Sequence, residues 1–286
     1  MKIGVSSYSY NHHMKATGAD FFEVARLAKE HGFDAIEFLP LTKRPGDENV
    51  IETAHALRRY CEELGIEICA YTVGADLMNG KEGATPEEEP ARLMACVDVC
   101  KALGASVMRH DVAWSLPEGM TWEEGIEKLA PAIRQVTEYA EKQGIRTCTE
   151  NHGYLYQDSN RVKALIEKVN HPNFGWLIDI GNFICADEDN LSAVKTAAPY
   201  AFHVHAKDFL RKPADAVEPG AGWFKSRGQQ HIRGTVVGHG VVPVKECLDV
   251  IRESGYQGVI SLEFEGMEEN FPAVINGLDY LRRVTA

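Results

Sequence analysis

Short runs rich in β-branched residues alternate with amphipathic helical patterns eight times along this chain. The strand-like runs are Ile3–Tyr8, Ala35–Leu39, Ile66–Val73, Ser106–His110, Ile145–Thr149, Phe174–Ile180, Ala201–Lys207 and Gly258–Phe264. Helical patterns fall at Ala19–His31, Val50–Leu64, Thr121–Gln143, Leu191–Ala198, Val244–Glu253 and Phe271–Arg283. Two more run from Thr85-Pro86-Glu87-Glu88 to Leu103, and from Asp158 or Ser159 to near Val169. Thr85 has the hydroxyl of a helix cap and Pro86 suits a first turn. Gly32, Gly65, Gly104, Gly144 and Gly255 stand where helices stop. Eight such units predict an α/β fold of the (β/α)8 TIM barrel type. A doubly wound open sheet would need a glycine-rich turn after the first strand, and Ser6-Ser7-Tyr8-Ser9 is not one.

Residues 1–286 read as a single barrel domain, with no interior linker or composition shift. The rhythm breaks once, at residues 209–240. That stretch is expected to be a long loop, rich in Gly, Pro, Arg and aromatics such as Trp223, Phe224 and Arg227. Loops of this length in a compact domain are usually functional or disordered, and the aromatic and Arg content favours an ordered lid or a partner surface over a floppy insertion.

The formal charge of −12 makes a nucleic-acid backbone or an anionic membrane an unfavourable partner, and no basic patch offsets it. No apolar run is long enough to span a bilayer, and no signal peptide is evident. The seven cysteines are odd in number and show no CxxC spacing. Reduced thiols and a cytoplasmic protein are therefore expected.

Chemistry collects at the ends of the later strands. The run Ile145–Thr149 delivers Glu150-Asn151-His152-Gly153. The next strand ends in Asp179, the one after carries His205, and the last ends in Glu263. Barrel active sites lie at the C-terminal ends of the strands. Three carboxylates and one imidazole make an oxygen-rich set suited to Mn²⁺, Mg²⁺ or Co²⁺ with open positions. An open divalent ion can hold two neighbouring sugar oxygens and stabilise the charge left when a C–H proton departs. Carboxylates on two faces of such a substrate can remove and return that proton.

These motifs resemble the xylose isomerase-like barrel superfamily, the sugar phosphate isomerase/epimerase group. Further carriers are Gly32-Phe33-Asp34-Ala35-Ile36-Glu37, Asp179-Ile180-Gly181-Asn182, His203-Val204-His205-Ala206-Lys207-Asp208 and Ser261-Leu262-Glu263-Phe264-Glu265-Gly266. The resemblance implies one divalent metal, Mn²⁺ first among candidates, on Glu150, Asp179, His205 and Glu263. It implies that Glu150 and Glu263 double as acid/base groups in an isomerase or epimerase working through an enediolate. It also implies a small sugar or glycoside as substrate and a homo-oligomer. Where many ketose 3-epimerases carry a histidine, this chain has Asn182. The alternative is therefore a resemblance to C-glycoside deglycosidase catalytic subunits. Those cleave 3-keto glycosides by metal-assisted elimination, with His152 as base and a small second subunit in a hetero-oligomer. A nuclease branch of the superfamily uses three zinc ions and more histidines, and the charge opposes it.

Other residues have more local expectations. Relatives place an Arg on substrate hydroxyls near the position of Arg233. Glu37 and His110, at strand ends, are candidate substrate contacts. His12 and His13 are expected to face solvent. Lys207 either steadies a carboxylate or substrate oxygen or pairs with Asp208 or Glu263. His203 is expected to alternate away from His205 into the helix layer.

Overall fold

The computed structural model describes residues 1–286. Seven strands follow one another with helices between: β1 (Ile3–Ser6), β2 (Ala35–Phe38), β3 (Glu67–Val73), β4 (Val107–His110), β5 (Arg146–Glu150), β6 (Phe174–Asp179) and β7 (Ala201–Ala206). Three more, β8 (Asp208–Lys212), β9 (Phe224–Lys225) and β10 (His231–Thr235), precede the last, β11 (Ile260–Leu262). Strands β1 to β7 and β11 form a closed barrel in the order β1-β11-β7-β6-β5-β4-β3-β2, every pair parallel. The barrel closes because each helix returns the chain to the same end of the sheet.

Successive strand side chains face opposite ways, and the two faces differ in chemistry. The outward phase is apolar: Val5, Ile36, Met108, Trp176, Ile178 and Val204 join one large cluster with Leu57, Leu93, Ile133 and Leu165 from the helices. Burying each such side chain stabilises the fold by about 1.5–3 kcal/mol. The inward phase is apolar only low in the barrel, where Ala70, Val107, Cys148 and Leu177 touch. Above them it turns polar, which is the barrel's departure from a simple packed core.

The ring of helices comprises α1 (Asn11–Thr17), α2 (Phe21–His31), α3 (Val50–Leu64), α4 (Glu89–Leu103), α5 (Trp122–Lys142), α6 (Ser159–Val169), α7 (Asn190–Ala197), α8 (Val244–Glu253) and α9 (Asn270–Thr285). Most start where a side chain can accept the free N–H groups. Asp20 caps α2, and Thr121 with Glu124 forms a capping box on α5. The expected cap at Thr85 is a correction. Residues 85–88 form a turn, α4 opens at Glu89, and Pro90 occupies its first turn. Buried Glu89 fixes that start, accepting from the Asp76 N–H at 3.0 Å and pairing with Arg92 at 2.8 Å.

Two further differences concern connections. The first strand stops at Ser6, and the segment after it is a 3₁₀ turn followed by α1. There His12 is exposed, while His13 is partly covered by Phe271, ring to ring at 4.8 Å. The stretch 209–240, expected as loop, contains most of a three-stranded antiparallel sheet of β8, β10 and β9. Its root is tied by Asp208, whose carboxylate accepts the N–H groups of Phe209, Gly238, Gly240 and Val242. All seven cysteines are free thiols. No helix is long and apolar enough to cross a membrane.

Candidate metal centre

Strand register brings the four strand-end ligand candidates together. Asp179 lies directly across from His205, and Glu150 is level with Leu177, two residues below Asp179 on the same face. His205 is level with Ser261, two residues below Glu263. All four side chains are buried. One donor atom from each lies within 4.8 Å of the others, a spread that ligands at about 2.0–2.6 Å from one ion can have.

Each candidate ligand is held from behind. Glu150 accepts from Asn182 Nδ2 at 2.9 Å and pairs with Arg109 at 2.8 Å. Asp179 Oδ1 accepts the N–H groups of Gly181 and Asn182 at 2.8 and 3.0 Å. Asn151 locks β5 to β6, donating to the Asp179 carbonyl and accepting from Trp176 Nε1. Lys207 Nζ stands 2.8 Å from both Glu263 and Glu265 and 3.9 Å from Asp179. Of its two expected partners it takes Glu263 and not Asp208.

Asp179 Oδ2 and His205 Nδ1 are buried without a hydrogen-bond partner. Buried lone pairs are costly unless something positive meets them. Burial pushes Asp179 up, Lys207 opposes, and Glu150 and Glu263 add to the rise. Burial also penalises Glu263, but Lys207 and His205 outweigh it and hold that carboxylate well below its usual range. The cluster is short of positive charge at its centre. A single divalent cation fits this donor set, three oxygens and one imidazole nitrogen.

Glu37 is not at the mouth. It is fully buried beneath the cluster, 2.8 Å from His205 Nε2 and 2.6 Å from His203 Nε2. The expectation for His203 is likewise corrected. Residues two apart on a strand share a face, so His203 points inward below His205, the rings 5.5 Å apart.

His110 takes the outward phase. It is buried against Phe174, and its Nδ1 lies 2.8 Å from the Asp111 carbonyl. It does not reach the pocket. Burial pushes its imidazole down to about 4 from 6.5. The unfolded chain takes up that proton at the higher value and the folded chain only at the lower. Stability therefore falls as pH drops through this window, by about 3 kcal/mol in all, and the loss stops below it. The substitution His110→Gln is expected to flatten this part of the stability–pH curve measured by urea unfolding. An unchanged slope would count against a neutral buried His110.

Arg233 also lies elsewhere. It sits on β10 beside Glu268 at 3.2 Å and 5.6 Å from the Trp223 ring centre. The opposite face of the same sheet, through Phe209 and Phe224, walls a cavity of about 250 Å³ with Trp114, His152, Tyr154, Lys207 and Glu265. His152 stands at its edge. Its Nδ1 is 3.1 Å from Asp111 Oδ1, its ring meets Trp114 edge-on at 5.1 Å, and its side chain keeps 36 % exposure. Burial lowers its affinity for a proton, but Asp111 and Glu150 outweigh that and raise it. Gly153, at φ +82°, completes the turn; a Cβ there would stand 3.2 Å from the Trp114 ring.

Arg109 and Asp111 escaped sequence reasoning. Arg109 joins Asp111 at 2.7 Å to Glu150 at 2.8 Å. The available signal was phase: Val107, Arg109 and Asp111 share the inward face that His110 does not.

Comparisons with known proteins agree with this architecture. The family model described as xylose isomerase-like TIM barrel matches residues 25–284. An inosose dehydratase of Bacillus anthracis is 27 % identical over 159 residues, which are 55 % of this chain and 52 % of that protein. The chain thus spans about half the length of the curated relatives it matches. D-psicose 3-epimerase from Clostridium cellulolyticum H10, solved with D-tagatose, superposes with a TM-score of 0.74 at 17 % identity, covering 99 % of both chains. The IOLI protein, solved with a zinc atom, does so with a TM-score of 0.74 at 17 % identity, covering 100 % of this chain and 96 % of that one. A closed parallel barrel and a family match over nearly all of its length together show that this chain belongs to the xylose isomerase-like TIM barrel family.

Proposed function

We propose that the protein is a divalent-metal-dependent enzyme that removes a proton from the carbon next to a carbonyl in a keto-sugar or keto-polyol. The preferred outcome is elimination of a substituent one carbon further on. Glu150, Asp179, His205 and Glu263 would hold the ion, with Mn²⁺ first and Mg²⁺ or Co²⁺ also suited to so oxygen-rich a set. When bound, the ion supplies Lewis-acid polarisation of the carbonyl.

The observation that carries the reading is the His152–Asp111 pair at 3.1 Å, its imidazole still 36 % exposed beside the ligand cluster. Asp111 Oδ1 and Arg109 Nη2 both lie 3.1 Å from Nδ1; with the Nδ1 proton directed at Asp111, Nε2 is left for the substrate. His152 takes the proton, and the Asp111 carboxylate stabilises the imidazolium that results. Trp114, Tyr154, Phe209 and Phe224 keep water from the reacting carbon and offer an apolar wall to the departing group. The similarity to inosose dehydratases supports elimination. A glycoside whose aglycone leaves in place of water fits the same steps.

Epimerisation or isomerisation through an enediolate is the second reading. It is favoured by Glu150 and Glu263 reaching one site from different strands. Against it, both carboxylates are engaged by cations, Arg109 and Lys207, and Arg233 faces away from the cavity. The test is incubation of the metal-loaded protein with ketoses, keto-polyols and 3-keto glycosides in heavy water, read by mass spectrometry. Release of a substituent supports elimination, with or without deuterium at carbon, because the carbon that loses its proton becomes part of a new double bond. Deuterium without release moves the assignment to epimerisation, and neither signal on any substrate rejects both.

A further inference from the structure

We infer that Glu37 and His203 are positioning residues that fix which nitrogen of His205 faces the ion; this rests on the metal site proposed above. Glu37 is wholly buried at the bottom of a polar shaft. Its Oε2 meets His203 Nε2 at 2.6 Å and its Oε1 lies 2.8 Å from His205 Nε2. The second contact is bent away from the ring N–H direction, but no other acceptor meets that nitrogen.

A carboxylate can only accept hydrogen bonds. The His205 nitrogen beside it, Nε2, is therefore the one that keeps its proton. That leaves the Nδ1 lone pair pointing toward Glu263, 3.6 Å away, on the side of the ligand cluster. His203 holds the second carboxylate oxygen, so Glu37 cannot swing away from His205. Hydrogen bonds behind a ligating histidine commonly orient the ring and raise its basicity.

A glutamine at position 37 would keep the shape and lose the rule. Its amide nitrogen can donate to Nε2, which would put the His205 proton on Nδ1 and block the lone pair. Zn²⁺ titration of the metal-free protein against a chromophoric chelator tests this. Glu37→Gln is expected to weaken Zn²⁺ binding roughly 10–100-fold while thermal unfolding of the metal-free protein stays cooperative. His203→Leu should weaken binding as well, whereas His203→Gln, which still donates an N–H, should stay close to the parent protein. In ¹⁵N-histidine spectra of the zinc-loaded protein, the parent should show a protonated Nε2 on the His205 ring, and Glu37→Gln should lose that signal.

Equal affinity and an unchanged His205 spectrum in Glu37→Gln would overturn the inference and leave the metal site standing. If that variant does not fold, equal Zn²⁺ affinity in His203→Leu and His203→Gln overturns it. A second zinc equivalent in the parent protein, lost in Glu37→Gln, would make Glu37 a ligand and also overturn it. No zinc binding by the parent protein would reject the inference and the metal site together.

Discussion

Replacing Asp179 by asparagine is expected to abolish divalent-metal binding and activity while making the metal-free protein more stable. Asp179 Oδ1 accepts two backbone N–H groups, and an asparagine oxygen can do the same. The change falls on Oδ2, which is buried, has no hydrogen-bond partner, and shares its space with Glu150 and Glu263. Removing a ligand should cost the ion more than the roughly 10–100-fold that an outer hydrogen-bond partner is worth. Removing a buried negative charge beside two others should relieve the metal-free fold. For a domain of about this size each kcal/mol so gained raises the melting temperature by roughly 2–4 °C. His205→Ala should lose the ion as well without that gain, because it deletes the imidazole that lies between Glu37 and Glu263. Calorimetry with and without Mn²⁺ checks both halves. A parent protein stabilised by chelation, or an Asp179→Asn variant that still binds Mn²⁺ as tightly as the parent, would remove the metal site from consideration.

The barrel was legible in the sequence because its code is local. Strand runs, helix stops such as Gly32 and Gly65, and the cap at Thr121 each act within a few residues. The ligand candidates were legible for a related reason. Glu150, Asp179, His205 and Glu263 are polar residues at the ends of otherwise apolar strands, and eight parallel strands leave one rim for them to share. What failed depended on phase or on partners far along the chain. His110 and Arg109 are adjacent, but only Arg109 faces inward, and strand periodicity had to be carried across the whole barrel to show it. His203 is two residues from His205, so it shares the inward face; its contact with Glu37 joins residues on strands far apart in sequence. Arg233 depended on a register no local pattern fixes. In the excursion sheet it pairs with Leu210, while Gly234 pairs with Phe209, so the two faces were assigned only by the antiparallel pairing itself. Thr85 had good capping chemistry, yet the buried contacts of Glu89 set the start of α4.

Substituting His152 by alanine is expected to reduce kcat by about 10²–10⁴, the usual worth of a positioned general base. That is roughly 3–5.5 kcal/mol of barrier. The affinity for Mn²⁺ should change little, because His152 is not among the clustered donors. Loss of rate without loss of metal separates a proton-transfer role from a structural one. The pH profile separates it further. As a base, His152 must be neutral, so activity should rise with pH through its titration. Asp111 and Glu150 raise the pH at which it does so, against the effect of burial. Replacing Asp111 by asparagine removes one of those charges and should move the acidic limb of the profile to lower pH. It should also lower the plateau, since the imidazolium formed during reaction loses its carboxylate. In the epimerase reading the pattern inverts. Glu150→Gln and Glu263→Gln then stop hydrogen exchange at carbon, while His152→Ala only alters KM. A His152→Ala protein that eliminates at the parent rate, with an unshifted acidic limb in Asp111→Asn, would leave the two glutamates as the proton carriers and make epimerisation the better reading of this site.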